Sequence, residues 1–301
     1  MVEDFLPALP ENEVPGKTDH METMFDWYRH VGLLTITAMN IDVDSPACRD
    51  HPDLHFSILR GLLNRCARLV LATMKISRER NHGEIVAILA RCTMETAVNG
   101  CWLIGEEDDG SFQKYLANGL KAEVKFCDLV RENIAGREGE IWEIEGRMLE
   151  FEKQVMSLAG MSEQEIVANP GLPDFYSRIR QLDYDDLAYA AIYRIGSHAV
   201  HGSWPDLVDH YLETDEHESR LDPREHNVPA DVKIFVACSL HLLEFMRRYL
   251  RFAVSSCRER RVFFQRLNLV EQRIMKVFCD YAGRDFDSAG PELRPQIVDE
   301  L

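Results

Sequence analysis

The segment YRIGSHAVHGSWPD, Tyr193 to Asp206, gathers an arginine, a serine and two histidines into eight residues and then meets Gly202. At about 100° per residue in an α-helix, Arg194 and His201 lie about 20° apart, two turns along one face. His198 lies about 40° from Arg194 on the other side, and Tyr193 sits at the edge of that face. Ser197 and His201 are i, i+4 neighbours. Imidazole titrates near neutral pH, and a guanidinium stabilises an anion. The face therefore suits proton transfer by His201 on an anionic group held by Arg194, with no metal involved.

A second polar stripe runs through EIVAILARCTMETAVNGCWLI, which starts at Glu84 and is apolar almost all round. Such a helix belongs in the centre of a protein. It nevertheless carries Arg91, Glu95 and Asn99 at i, i+4, i+8. A buried charge is costly unless paired, so these groups are expected to meet polar groups across the core. Docking the Tyr193–His201 helix on this stripe would make one seam of Arg91, Glu95, Tyr193, Arg194, Ser197, His198 and His201.

Three chemistries compete for the seam. One is a structural network that fixes helix register, with His201 capping a helix end. The second is a metal site, since six of the eleven histidines fall between His198 and His241. No H-E-x-x-H and no paired E-x-x-H motif is present, so neither a metal nor a cofactor is expected. The third is the metal-independent catalysis above. A serine hydrolase is disfavoured, because no G-x-S-x-G occurs and its elbow needs a strand.

The elements that must position these groups are helices. No proline occurs from 53 to 169 or from 230 to 290, and apolar residues recur at i, i+3, i+4 through both stretches. Helices are predicted near 20–40, 53–80, 83–105, 111–134, 138–158, 162–168, 173–181, 184–201, 229–256 and 258–282. No segment reads as a strand, so the fold class is all-α, a bundle of about ten helices without a sheet. Ser162 and Glu165 have capping-box spacing. Gly136, Gly160 and Gly202 stand where helices should end. Residues 20–283 read as one domain between an extended, Pro-bearing arm over 1–19 and an acidic tail over 284–301. The segment 205–228 reads as a short helix followed by a polar loop. The helix over 138–158 is amphipathic through Ile141, Trp142, Ile144, Met148, Phe151 and Val155, and is expected to cover the core rather than meet a partner chain.

Composition bounds the setting. The chain has 301 residues and a net charge of −17, which disfavours a general nucleic-acid coat. There is no basic, apolar leader and no apolar run long enough for a membrane span, so a cytoplasmic protein is expected. None of the eight cysteines forms a C-x-x-C pair, which fits free thiols in a reducing compartment. Seven arginines crowd between Arg247 and Arg266. They are expected to make interhelical ion pairs rather than a stripe facing a polyanion.

The combination of R-x3-E (Arg91, Glu95) with Y-x3-S-x3-H-G (Tyr193, Ser197, His201, Gly202) resembles bacterial domain-of-unknown-function family 5677, over about residues 50–215. That resemblance implies a helical cytoplasmic protein and no assigned activity. More loosely, Arg194 and His201 resemble the R-x4-6-H motif of the HEPN superfamily, helical and often dimeric ribonucleases of toxin and phage-defence systems. That likeness implies that His201 takes a 2′-hydroxyl proton while Arg194 holds the phosphate. RNA, a partner protein and a second copy of the chain are the partners these readings allow. The competing reading is a non-enzymatic helical module that binds a partner protein or a small ligand.

Overall fold

The computed structural model describes residues 6–10, 19–78, 81–105, 110–214 and 221–286; the side chains of Leu187, Ala191, Arg194, Ile195 and Thr214 lie outside that description. Most of the 1–19 arm and of the 284–301 tail therefore falls outside the described residues. The rest is helical, in eleven α-helices and one π-helical turn among the described residues. The helices are α1 (His20–Met39), α2 (Asp53–Ser77), α3 (Gly83–Gly105), α4 (Gly110–Gly136), α5 (Glu143–Ala159), α6 (Glu163–Ala168), α7 (Phe175–Gln181), α8 (Asp186–His201), α9 (Trp204–Asp206), α10 (Val232–Ala253) and α11 (Arg258–Tyr281). None of them is long and apolar enough to cross a membrane.

Local chemistry sets the ends. The Asp185 carboxylate accepts the Ala188 N–H at 2.7 Å to start α8. Ser162 and Glu165 exchange cap bonds at the start of α6, as their spacing predicts. Gly160 and Gly202 end α5 and α8 in the left-handed conformation.

One short ribbon departs from the sheet-free expectation. Leu212–Thr214 (β1) pairs antiparallel with Leu221–Pro223 (β2), Glu213 opposite Asp222. Three residues a side are too few to leave an alternating pattern in the sequence.

The chain divides into two compact units. One comprises residues 1–104 and 182–301, and the other residues 105–181. In the first, α1 packs on α2, α10 and α11, and α10 also packs on α11. The core there includes Met24, Trp27, Tyr28, Leu59, Leu63, Phe235, Leu242 and Phe245. α3 is bound to both neighbours of this layer: Arg65 Nε donates to Thr96 Oγ1 at 3.1 Å from α2, and the Cys238 thiol donates to the Ala90 carbonyl from α10. A Cβ added at Gly100 would lie 2.2 Å from the Phe245 ring, so the glycine gives that ring its place between α3 and α10. The second unit is the hairpin of α4 and α5 with α6 and α7. Leu120, Val124 and Ile166 form its core, with Val155 and Met156 packed against them.

Helix α5 meets the expectation that its apolar side covers the core only in part: Met148 and Val155 are half-buried and Val155 packs on the core of its unit, but the rest of the stripe does not. Ile144, Phe151 and Leu158 are exposed, whereas Glu145 and Glu152 are buried. Arg137 and Arg131 neutralise the two buried carboxylates. Ion pairs, together with the apolar contacts of Val155 and Met156, thus set which way α5 faces.

Candidate functional site

The polar stripe of α3 and the face of α8 meet. Arg91 Nε donates to Glu95 Oε1 at 2.7 Å, and the Arg91 guanidinium lies 4.7 Å from the centre of the Tyr193 ring. Tyr193 in turn stacks on Tyr189 at 5.4 Å. Burial works against the Arg91 charge, but the hydrogen bond and charge of Glu95 outweigh it and raise the guanidinium pKa. Arg91 Nη1 is buried without a hydrogen-bond partner among the described residues. The pair is not fully enclosed, because the side chains of Arg91 and Glu95 are 16% and 36% exposed.

Close approach at Gly196 makes this meeting possible. Its φ of 79° interrupts the regular helix, and the backbone there rests against the Ala87 carbonyl of α3. Beyond that crossing the predicted residues separate. Ser197 is half-buried, and His198 Nδ1 lies 2.7 Å from Ser203 Oγ, across the turn that Gly202 makes. His201 is exposed in the last turn of α8. Arg194 lies within α8, but its side chain falls outside the described residues. The structure therefore joins Arg91, Glu95 and Tyr193, and carries His198 and His201 to the far end of the helix.

Four further polar residues gather where the chain turns back towards the start of α3. Asp206 is buried, and its Oδ1 lies 3.2 Å from His210 Nδ1. A π-helical turn, Leu207–Tyr211, carries this histidine. Glu84, in the first turn of α3, is also buried, and burial together with the Glu84 and Asp206 charges raises the Tyr211 phenol pKa. Asp206 Oδ1 and His210 Nδ1 face each other without hydrogen-bond geometry, for both are buried and neither has a hydrogen-bond partner among the described residues. The D-x3-H spacing of Asp206 and His210 is the signal the sequence carries for this pair, within a segment whose pattern predicts only a short helix and a loop. Among the described residues, no group of three or more His, Cys, Asp or Glu could hold a metal ion.

The arginines of α10 and α11 are largely occupied within the fold. Arg247 pairs with Glu271 and Asn268, Arg248 with Glu244 at 2.7 Å, and Arg260 with the Val254 carbonyl. Arg251 lies over Phe264, and Arg266 donates to the Pro7 carbonyl.

No curated protein and no solved structure matches the chain. A family model does, over residues 56–219, from α2 through the π-helical turn and β1. That span contains Arg91, Glu95, Tyr193, Ser197, His201 and the Asp206–His210 pair, so the chain belongs to the family of unknown function DUF5677.

Proposed function

We propose that the chain is a non-enzymatic helical module that binds a partner protein through α8 and the segment that follows it. One observation carries this reading: Tyr193, Val200, Trp204, Val208, Tyr211 and Leu221 are all large, apolar and exposed there. Tyr and Trp dominate interface energetics, and large exposed apolar patches mark contact surfaces. The seam beneath serves structure in this reading. Arg91 is committed to Glu95 and Tyr193, and Gly196 rests on Ala87, which holds α8 in one register on α3. Asp209 and Glu213 are exposed beside the apolar residues, so the partner is an apolar groove rimmed by Lys or Arg. A photo-crosslinking amino acid at Trp204 should form a protein adduct in cells, whereas one at the exposed Lys276 of α11 should not, and Tyr193→Glu should remove the adduct. Equal labelling from both positions would sink the reading.

A second reading is favoured by the exposed position of His201. In it the chain is a HEPN-like, metal-independent ribonuclease, or a degenerate relative, acting in the cytoplasm in stress or phage defence. His201 would take the proton and Arg194 would hold the phosphate. Purified wild type should then cut total bacterial RNA with or without EDTA, and His201→Ala should not. Absence of cleavage by wild type removes this reading and leaves the binding module.

A further inference from the structure

Helix α5 is apolar on two sides: Val155 and Met156 pack on the core of its unit, and a second stripe faces outward. Towards α4 it presents Glu145 and Glu152, the latter only 2% exposed. Away from α4 it presents Ile144, Phe151 and Leu158, which are 47%, 53% and 69% exposed. A helix of a free-standing globular protein normally keeps a single apolar face, turned to the core. The arginines of the hairpin compensate the inner carboxylates. The outer stripe is left about half exposed, which is unfavourable for apolar surface.

Spacing says what fits there. Ile144, Phe151 and Leu158 are seven residues apart, the repeat that keeps a stripe against a partner helix. The stripe is also symmetric about its middle. In an antiparallel pair of α5 helices centred on Phe151, each Phe151 meets its own copy and each Ile144 meets a Leu158. Such self-complementarity is what a two-fold interface requires.

Neighbouring residues enlarge the patch. Cys127 faces α5, its thiol on the Met148 carbonyl, and Phe126 is one residue round α4 from it. Helix phase puts Phe126 on the same flank of the antiparallel hairpin as the stripe. Ile141 and Trp142 extend the patch at the turn, and all three are exposed. Six side chains of this size, each about half exposed, offer on the order of 600 Å² per chain, close to the ~800 Å² per partner of a standard stable interface.

We propose that α5 is a self-association surface, on which two copies of the chain pair antiparallel about a two-fold axis through Phe151. This inference is independent of the partner-binding reading of α8. Each copy carries a net charge of −17, so long-range repulsion opposes pairing and added salt should strengthen it.

Sedimentation velocity of the full chain tests the proposal. Wild type should dimerise at micromolar concentrations, more tightly at high salt. Phe151→Glu sets two carboxylates against each other on the axis and should weaken dimerisation by about 100-fold with unchanged circular dichroism. If that variant unfolds, cysteine pairing carries the test. Ile144→Cys mixed with Leu158→Cys should give an interchain disulfide that neither variant forms alone. A monomeric wild type would overturn the proposal. So would a dimer indifferent to Phe151→Glu, or Ile144→Cys linking to itself as readily as to Leu158→Cys.

Discussion

Gly196 of α8 lies so close to Ala87 of α3 that a Cβ built on it would sit 2.3 Å from the Ala87 carbonyl oxygen and 3.0 Å from Arg91 Cβ. The first obstacle is backbone and cannot swing away. At φ 79° a side chain also adds strain of about 1–2 kcal/mol. Gly196→Ala is expected to lower unfolding free energy by about 3 kcal/mol in a urea titration. A variant as stable as wild type would mean that α8 does not rest on α3 in this way.

Gly100 and Phe245 make the corresponding contact between α3 and α10, but there the obstacle is a side chain. Gly100→Ala should cost about 2 kcal/mol through overpacking. Phe245→Leu costs stability by itself, yet in the Gly100→Ala background it should recover part of the loss. A double-mutant cycle should therefore show coupling between the two sites, and strict additivity would contradict the crossing.

Arg91→Ala should destabilise the chain by about 1–2 kcal/mol, well below the ~3–5 kcal/mol of breaking a buried ion pair, because solvent reaches Glu95. Arg91→Lys should not restore the loss, since an ammonium cannot both donate along the Nε direction and lie flat over Tyr193. Denaturation midpoints of the two variants decide the matter.

Stability should fall in mild acid partly through His30. Burial, then the charge of Arg266, lowers its pKa from 6.5 to about 4. Between those values the unfolded chain binds the proton and the folded chain does not. The contribution is thus complete above pH 6.5 and is lost as pH falls towards 4, by up to about 3 kcal/mol. His30→Gln removes this part of the slope of stability against pH. An unchanged slope would show that His30 titrates normally.

Thiol reactivity should divide by depth. Burial pushes the Cys66 thiol up to about 12 and raises those of Cys101, Cys127, Cys238 and Cys279. These five are buried, whereas Cys48, Cys92 and Cys257 are half-buried. Maleimide labelling of the native chain followed by mass spectrometry should find the latter three first. Early modification of Cys238 would indicate local opening of α10 from α3.

The helices and their ends follow from local sequence. Proline-free stretches with 3.6-residue periodicity, the Asp185 and Ser162 caps and the glycines at 160 and 202 act over a few residues, so they are legible locally. It also showed that Arg91 and Glu95 needed company inside an apolar helix. Which residue supplies it is a matter of helix packing. Tyr193 reaches Arg91 because a glycine happens to stand where α8 crosses α3, and Ser203 draws His198 away across the Gly202 turn. The Asp206–His210 pair depends on a π-helical turn that no local pattern announces. For α5, periodicity gave an apolar stripe but not its direction. Arg131 and Arg137 help to fix that direction through ion pairs that hold Glu152 and Glu145 inside, beside the inward Val155 and Met156, and such pairing across the chain is invisible to the spacing of residues along it.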